Sequence, residues 1–295
     1  MSIFLHRMKK KSYLIIPFLL LLTTIFGQSQ KKTDKPNPKK GIKTETKSKY
    51  NYEEKFGEFI EVLEGKTIHK YDSKGNMVEE SNYDSEGLLE EKYIYKYDSN
   101  GNKVEESNYD SDGNLTQDIL ESSTVTFNYD SNGNRVGQSG YDLEGSLKYK
   151  TIHKYDSKGN MVETSRYNSD GSLKSKWTLK YDSKGNMVEM SDYKFDGLLD
   201  GKTIFKYDSK GNMVETLDYK SDSLDGKIIY KYDSKGNMVE FLLENYSEDY
   251  PNWKVIRKYN TKNRLVEEIM YDQEFKFGEL QEKLTSKTIY EYEEY

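Results

Sequence analysis

Two histidines, His69 and His153, follow residue 50, and the 295-residue chain contains no cysteine. Nucleophilic catalysis by a thiolate is therefore excluded, and any general base would be a histidine or a carboxylate. Both histidines stand two residues before a recurrent tyrosine. Equivalent positions hold Tyr95, Phe127, Leu179, Phe205, Tyr230 and Arg257. A slot that accepts Phe, Leu and Arg reads as a packing slot. Carboxylate pairs such as Glu79/Glu80 have the residue types of a glycosidase. That chemistry needs one pair in a cleft with separated pKa values, however, not glutamates repeated along the chain. Asp110-x-Asp112-Gly113-Asn114 and Asp98-x-Asn100-Gly101-Asn102 resemble a calcium loop. The EF-hand loop places Gly sixth and a bidentate Glu twelfth, whereas here Gly is fourth. The expectation is a protein without catalysis, metal or cofactor.

One set of residues keeps a functional reading. Tyr71, Tyr97, Tyr129, Tyr155, Tyr181, Tyr207 and Tyr232 recur at spacings of 26, 32, 26, 26, 26 and 25, and Tyr259 follows 27 residues later. Regularly spaced rings stack on sugars or on a partner's apolar groups. The competing reading is that they form the buried side of a curled sheet.

The elements that carry these tyrosines are internal repeats. Lys154-Tyr155-Asp156-Ser157-Lys158-Gly159-Asn160-Met161-Val162-Glu163 recurs almost unchanged from Lys70, Lys180, Lys206 and Lys231. Looser copies start at Lys96 and Asn128, and a worn one at Lys258. A second tyrosine, such as Tyr83, Tyr109 or Tyr167, follows each of the first six by twelve residues. Asp bonds its own backbone two residues on, and Gly adopts the left-handed conformation. The pattern predicts a three-residue hairpin loop, a type I turn closed by a glycine bulge, with corners at Gly75, Gly101 and Gly159. Asn263 replaces Gly in the worn copy and is the residue that next best tolerates that conformation. Between turns, Tyr93-Ile94-Tyr95-Lys96-Tyr97 and its relatives alternate with period two, as strands do. Strict alternation puts Tyr71, Met77, Tyr83, Leu89, Tyr93 and Tyr95 on one face. Val78, Leu88, Ile94 and the Lys/Glu residues fall on the other.

The ends differ from the middle. Arg7 and Lys9–Lys11 precede a short apolar run, Leu14–Phe26, with small residues Gly27 and Ser29 after it. Residues 1–27 read as a signal peptide, which implies export to periplasm, cell surface or medium. No cysteine is present for lipidation, and the apolar run is too short for a stable membrane span. Residues 28–50 are Lys-, Thr-, Ser- and Pro-rich and read as a flexible basic linker. The repeat domain takes 51–295. Its modified terminal half-repeats, about 51–71 and 272–295, share Lys-Phe-Gly-Glu and Lys-Thr-Ile and read as caps. A six-residue insertion lies around Ile119–Ser123.

Short connections make the strands antiparallel neighbours. The expected fold is all-β, an elongated or curled meander of roughly 16–18 strands. A closed up-and-down barrel is the other candidate. The charged second face argues against a lipid-facing one.

The Tyr-Asp-x-x-Gly-Asn/Arg unit resembles the YD repeat of bacterial RHS-type proteins. The Tyr-Asp-Ser-Asp-Gly-x-Leu turns are similar to variant MORN-type repeats of small secreted proteins. The resemblance covers about 51–295. It implies a secreted, non-catalytic repeat protein, since RHS repeats curl into shells around a toxin and are associated with carbohydrate binding. This chain has a longer period, no Asp-Pro-x-Gly self-cleavage motif and no non-repeat toxin domain after the repeats, so the enclosing role is not carried over.

Charge narrows the partners. Residues 1–50 hold 12 Lys/Arg and 2 Asp/Glu, and the remainder holds 33 and 49. An acidic body opposes phosphate-driven binding to nucleic acid. The expected function is an exported, non-catalytic scaffold that binds a carbohydrate or a surface protein at the cell envelope. The alternative is a purely structural or toxin-system accessory protein without a small ligand.

Overall fold

The computed structural model describes residues 39–55, 58–116, 122–246, 251–276 and 279–295. The expected signal peptide and residues 28–38 of the expected linker lie outside these residues. All described regular structure is β, in eighteen strands. They are β1 (Ile42–Lys55), β2 (Glu58–Tyr71), β3 (Met77–Asp84), β4 (Leu89–Tyr97), β5 (Lys103–Asp110), β6 (Thr124–Tyr129), β7 (Arg135–Tyr141), β8 (Leu147–Tyr155) and β9 (Met161–Asn168). They continue as β10 (Leu173–Tyr181), β11 (Met187–Lys194), β12 (Leu199–Tyr207), β13 (Met213–Lys220), β14 (Ser223–Tyr232), β15 (Met238–Asn245), β16 (Asn252–Tyr259), β17 (Leu265–Lys276) and β18 (Glu279–Glu294).

The turns form as their residues dictate. At the first corner the Asp72 amide donates to the Asn76 carbonyl, and the Gly75 amide to the Asp72 carbonyl, both at 2.9 Å. The Asp72 carboxylate accepts from the amides of Lys74 and Asn76. Gly75, Gly101 and Gly159 have φ of 85°, 82° and 81°, and Asn263 takes the same conformation at 64°. The corner between β13 and β14 explains the 25-residue spacing. Ser221 and Asp222 both have positive φ and join Lys220 to Ser223 as a two-residue turn, one residue shorter than the others.

The sheet is a closed barrel, which corrects the expected open or curled meander. β1 pairs antiparallel with β2 on one side and with β18 on the other, so no edge remains among the described strands. The physical reason is edge satisfaction: an open sheet of this length would expose two long strands to other chains. A charged outer face weighs against contact with lipid and is fully compatible with a barrel in water.

Closure also moves a boundary. The expected linker 28–50 overlaps β1, which starts at Ile42. Thr44–Lys49 have no apolar period, yet their backbone is hydrogen-bonded on both sides, and Glu45 finds charged partners inside the wall. The two modified terminal half-repeats form the β1–β2 and β17–β18 hairpins and meet side by side at this seam.

A second correction concerns the faces. Each repeat contains two bulges. Lys70 pairs with Glu79, but Tyr71 pairs with Met77, so Val78 is an extra residue. Asn82 pairs with Glu91, but Tyr83 pairs with Leu89. Each bulge flips the alternation. Tyr71, Met77, Tyr93, Tyr95 and Tyr97 face inward, while Tyr83 and Leu89 face outward with Lys66 and Lys70.

The outer face repeats almost without variation. Lys70–Glu79, Lys154–Glu163, Lys180–Glu189 and Lys258–Glu267 form cross-strand ion pairs at 2.7–2.8 Å. Such exposed pairs contribute only tenths of a kcal/mol each, and they keep the wall wet. The inner face carries the buried apolar residues, including a cluster of Leu179, Met187, Met190 and Phe205. Eighteen strands at ~4.8 Å, tilted by 35–45° as barrels require, enclose a ring roughly 35 Å across. Among the described residues, side-chain hydrogen bonds and ion pairs join neighbouring strands or reach across one intervening strand. The lumen is lined by side chains, and none of these bonds bridges it.

Candidate functional site

The tyrosines singled out by their spacing form a belt at one rim, because each precedes a corner of the same type. Their hydroxyls are engaged by the wall itself. Tyr97 donates to the Met77 carbonyl at 2.6 Å, Tyr129 to Lys103 at 2.6 Å, and Tyr155 to Arg135 at 2.8 Å. Tyr181, Tyr207 and Tyr232 donate to Met161, Met187 and Met213 at 2.7–2.8 Å. Tyr259 and Tyr292, outside the predicted set, continue the pattern onto Met238 and Leu265. The need is visible in the register. The β9–β10 ladder stops at Glu163 and Thr178, so the Met161 carbonyl has no strand partner, and the tyrosine supplies the donor. Burial pushes the Tyr97, Tyr181 and Tyr207 hydroxyls up to about 12. They are neutral donors at any physiological pH.

These bonds make the belt, whose rings are half-buried, a structural feature, so single changes should be mild. Tyr181→Phe keeps the ring and removes one bond of this type. It is expected to cost about 1 kcal/mol, measured as a lower urea midpoint at unchanged m-value. No loss, or a loss of several kcal/mol, would contradict the assignment.

Tyr71 is the exception, and it marks the seam. Its hydroxyl donates not to a carbonyl but to the Glu45 carboxylate, at 2.9 Å. Glu45, only 4% exposed, also accepts from Lys39 Nζ at 2.7 Å and contacts His69 Nδ1 at 3.0 Å. His69 Nε2 lies 3.3 Å from Glu80. Four elements converge here: the residues just before β1, β1 itself, the end of β2, and β3. Burial opposes both charges. The His69 and Lys39 bonds outweigh it and hold the Glu45 carboxyl well below the usual carboxylate range. Burial likewise works against the His69 imidazolium, and the two carboxylates overcome it and raise its pKa. Lys47, beside them, is pushed down by burial, and its ammonium lies 5.8 Å from the Tyr290 ring centroid.

This cluster opens into a cavity of about 740 Å³, walled among others by Lys39, Lys47, His69, Arg264, Tyr290 and Tyr292. Sequence reading placed His69 in a packing slot and did not single out Glu45. His153 does sit like a packed residue, its Nδ1 on Thr164 at 2.9 Å and its Nε2 buried. Burial and Arg135 lower its pKa to about 4. The lone available signal for the seam was Glu45, one of two acids among the first fifty residues.

The rest of the lumen differs from strand to strand. Arg135 and Arg166 lie on β7 and β9. Asp192 and Asp218 lie on β11 and β13, and burial raises each carboxyl to about 6. Among the described residues no group of His, Cys, Asp and Glu is arranged to hold a metal, and no helix is long and apolar enough to cross a membrane.

A family model described as Teneurin YD-shell matches residues 32–281. Among solved structures, a porin-like protein from Bacteroides uniformis shares 9% identity, with 85% of this chain and 98% of that one covered at a TM-score of 0.46. The crystal structure of TcdB2-TccC3-TEV shares 12% identity over 76% of this chain and 16% of that one, at a TM-score of 0.26. A protein of unknown function from Bacteroides fragilis shares 16% over 46% of this chain and 89% of that one, at 0.22. No match is found among curated proteins.

Proposed function

The chain belongs to the Teneurin YD-shell family, and on that premise we propose that it is an exported repeat scaffold that holds a glycan or protein partner within its lumen at the cell envelope. The observation that carries this reading is the contrast between the two faces. Outward positions repeat: Lys at 70, 96, 154, 180, 206, 231 and 258, and Glu at 79, 105, 163, 189, 215, 240 and 267. Inward, the belt tyrosines and most of the methionines paired with them also repeat, but the positions beside them are individual. The slot two residues before each belt tyrosine reads His69, Tyr95, Phe127, His153, Leu179, Phe205, Tyr230, Arg257 and Tyr290. A wall that served only to close a ring would have no use for a different side chain at each strand. Export is supported by the basic and apolar N-terminal segments. A non-catalytic role is supported by His69 being held by two carboxylates and by the buried Nε2 of His153.

Binding to a glycan array, or capture of a surface protein, should respond to the inner face alone. Trp177→Ala removes a large half-buried ring from the lumen and is expected to weaken binding by tenfold or more. Lys154→Ala on the outer wall should leave it within twofold. If the folded protein retains no partner in either assay, the structural or toxin-accessory alternative takes its place. The belt favours that alternative to the extent that its hydroxyls are already satisfied by the wall.

A further inference from the structure

We infer that the cavity at the seam binds a small anionic sugar, whose acid group lies on the Lys47 ammonium and whose ring lies against Tyr290. The site is separate from the lumen-binding reading above. β1, β18 and the β16–β17 corner carry most of its groups, and Trp177 takes no part in it.

The cavity, about 740 Å³, has the size of a pocket for a small organic molecule and far exceeds what one inorganic ion needs. Its lining carries five basic side chains, Lys39, Lys47, His69, Lys262 and Arg264, against one acid, Glu45. Lys39 and His69 hold Glu45. Lys262 and Arg264 share one oxygen of the exposed Glu294, at 2.8 and 2.6 Å. Lys47 is the cation left over. Among the described residues its ammonium makes no hydrogen bond or ion pair, only the contact with the Tyr290 ring.

The acids nearest to it are engaged elsewhere. Glu45 receives Lys39 on one oxygen, and His69 and Tyr71 on the other. Glu80 lies against His69, and Glu268 accepts from Arg257 Nε at 2.7 Å. These three carboxylates favour the Lys47 charge from a distance, but burial outweighs them and pushes its pKa down. A half-buried ammonium without a bonded partner costs the folded chain stability. An anion entering the cavity supplies that partner.

Tyr290 supplies the second contact. It pairs with Lys47 across the seam. Its ring is half-buried, and among the described residues its hydroxyl has no hydrogen-bond partner. Tyr292, two residues on, differs: its hydroxyl is spent on the Leu265 carbonyl. The slot of Tyr290 holds Leu179 and Phe205 in other repeats, so closing the ring does not require a polar tip there. An unpaired ammonium, an unpaired hydroxyl and an aromatic face thus border one cavity. They match a molecule with an acid group, hydroxyls and a flat apolar face, which is a uronate or a sugar phosphate.

The test titrates the full chain with glucuronate, glucose 6-phosphate, glucose and inorganic phosphate. At least one of the two anionic sugars is expected to bind tenfold or more tightly than glucose and phosphate, and to weaken with salt. It should also raise the melting temperature, because it ties β1 to β18. The tighter of the two identifies the acid group. Lys47→Met keeps the stem and removes the charge. It should lower that affinity at least tenfold without lowering the urea midpoint, and Lys47→Arg should retain binding. Tyr290→Leu, which places at this slot the residue found at Leu179, should also weaken binding tenfold. Trp177→Ala should leave it unchanged, so failure here and failure of the lumen reading are distinguishable. Unchanged affinity in Lys47→Met, or a lower urea midpoint that reveals an ammonium already partnered, would overturn the site. Equal binding of glucose would overturn the anion assignment, and equal binding of phosphate would overturn the sugar assignment. Binding of none of the four would overturn both.

Discussion

Deleting residues 39–55 is expected to abolish the monomeric barrel. Among the described residues, β1 is the only strand that joins the two ends of the repeat array. It pairs with β2 from Thr44↔Lys70 to Lys55↔Glu58 and with β18 from Ile42↔Glu294 to Asn51↔Ser286. With β1 present, every neighbour around the ring is antiparallel. Without it, β2 and β18 run parallel to each other, because each was antiparallel to the same missing strand. They cannot inherit its register, and a parallel seam has slanted, differently spaced hydrogen bonds. Two strands of 14 and 16 residues would then present free edges. Such edges template association with other chains. Size-exclusion chromatography of the truncated protein should show oligomers or aggregate. A synthetic peptide of residues 39–55, supplied during refolding, should restore a monomer-sized complex by strand addition. A truncated chain that remains monomeric and unfolds with the midpoint of the full one would refute the closing role of β1.

Local chemistry was legible in the sequence, and long-range closure was not. Each Asp-Ser-x-Gly-Asn corner contains its own instruction: a carboxylate that caps two amides, and a residue that accepts positive φ. Even the worn copy at Asn263 obeys it. The parity of the faces failed because a bulge at Val78 leaves no mark in residue types. Valine is as suitable in a regular strand as in a bulged one, yet it reverses the inward and outward assignments, Tyr83 and Leu89 among them, until the next bulge restores them. The seam was hidden for a different reason. Thr44-Glu45-Thr46-Lys47-Ser48 is polar throughout and has the composition of a linker. Its strand character comes from partners more than 200 positions away, Glu291 and Tyr290 among them. Of the candidate ligand-facing residues, the tyrosines were found by spacing, but their hydroxyl partners depend on where each ladder ends. The lumen charges were overlooked because they are the deviations from the repeat, and a search for repeats discards deviations.

Glu45→Ala should be the most damaging single substitution, lowering stability by about 3–5 kcal/mol. The carboxylate is the shared acceptor of Lys39, His69 and Tyr71. Its removal leaves an imidazolium facing Lys47 with only Glu80 beside it, and strands a buried hydroxyl. Against a typical total of about 5–15 kcal/mol, such a loss removes a large share of the margin that holds the ring shut.

The pH dependence separates this network from simple packing. His69 has a raised folded pKa, so its contribution is complete below the unfolded value of about 6.5 and fades as pH rises through the higher folded value. Glu45 and Glu80 have lowered pKa values, so their contribution is complete above the ordinary carboxylate range and fades as pH falls through theirs. The network therefore stabilises most between about pH 4.5 and 6.5. Asp192, Asp218 and His153 also titrate below neutrality, so the measurement is the difference between the native chain and a variant. His69→Leu places at this slot the residue found at Leu179. Its stability deficit, read from urea midpoints, should shrink as pH rises from 6 to 9. In the Glu45→Leu/His69→Leu double variant the two losses should be far from additive, because once the carboxylate is gone the imidazolium has little left to hold. A deficit that stays constant across that pH range, together with additive losses, would show that the seam is closed by packing alone and that the Glu45–His69–Glu80 chain is incidental to it.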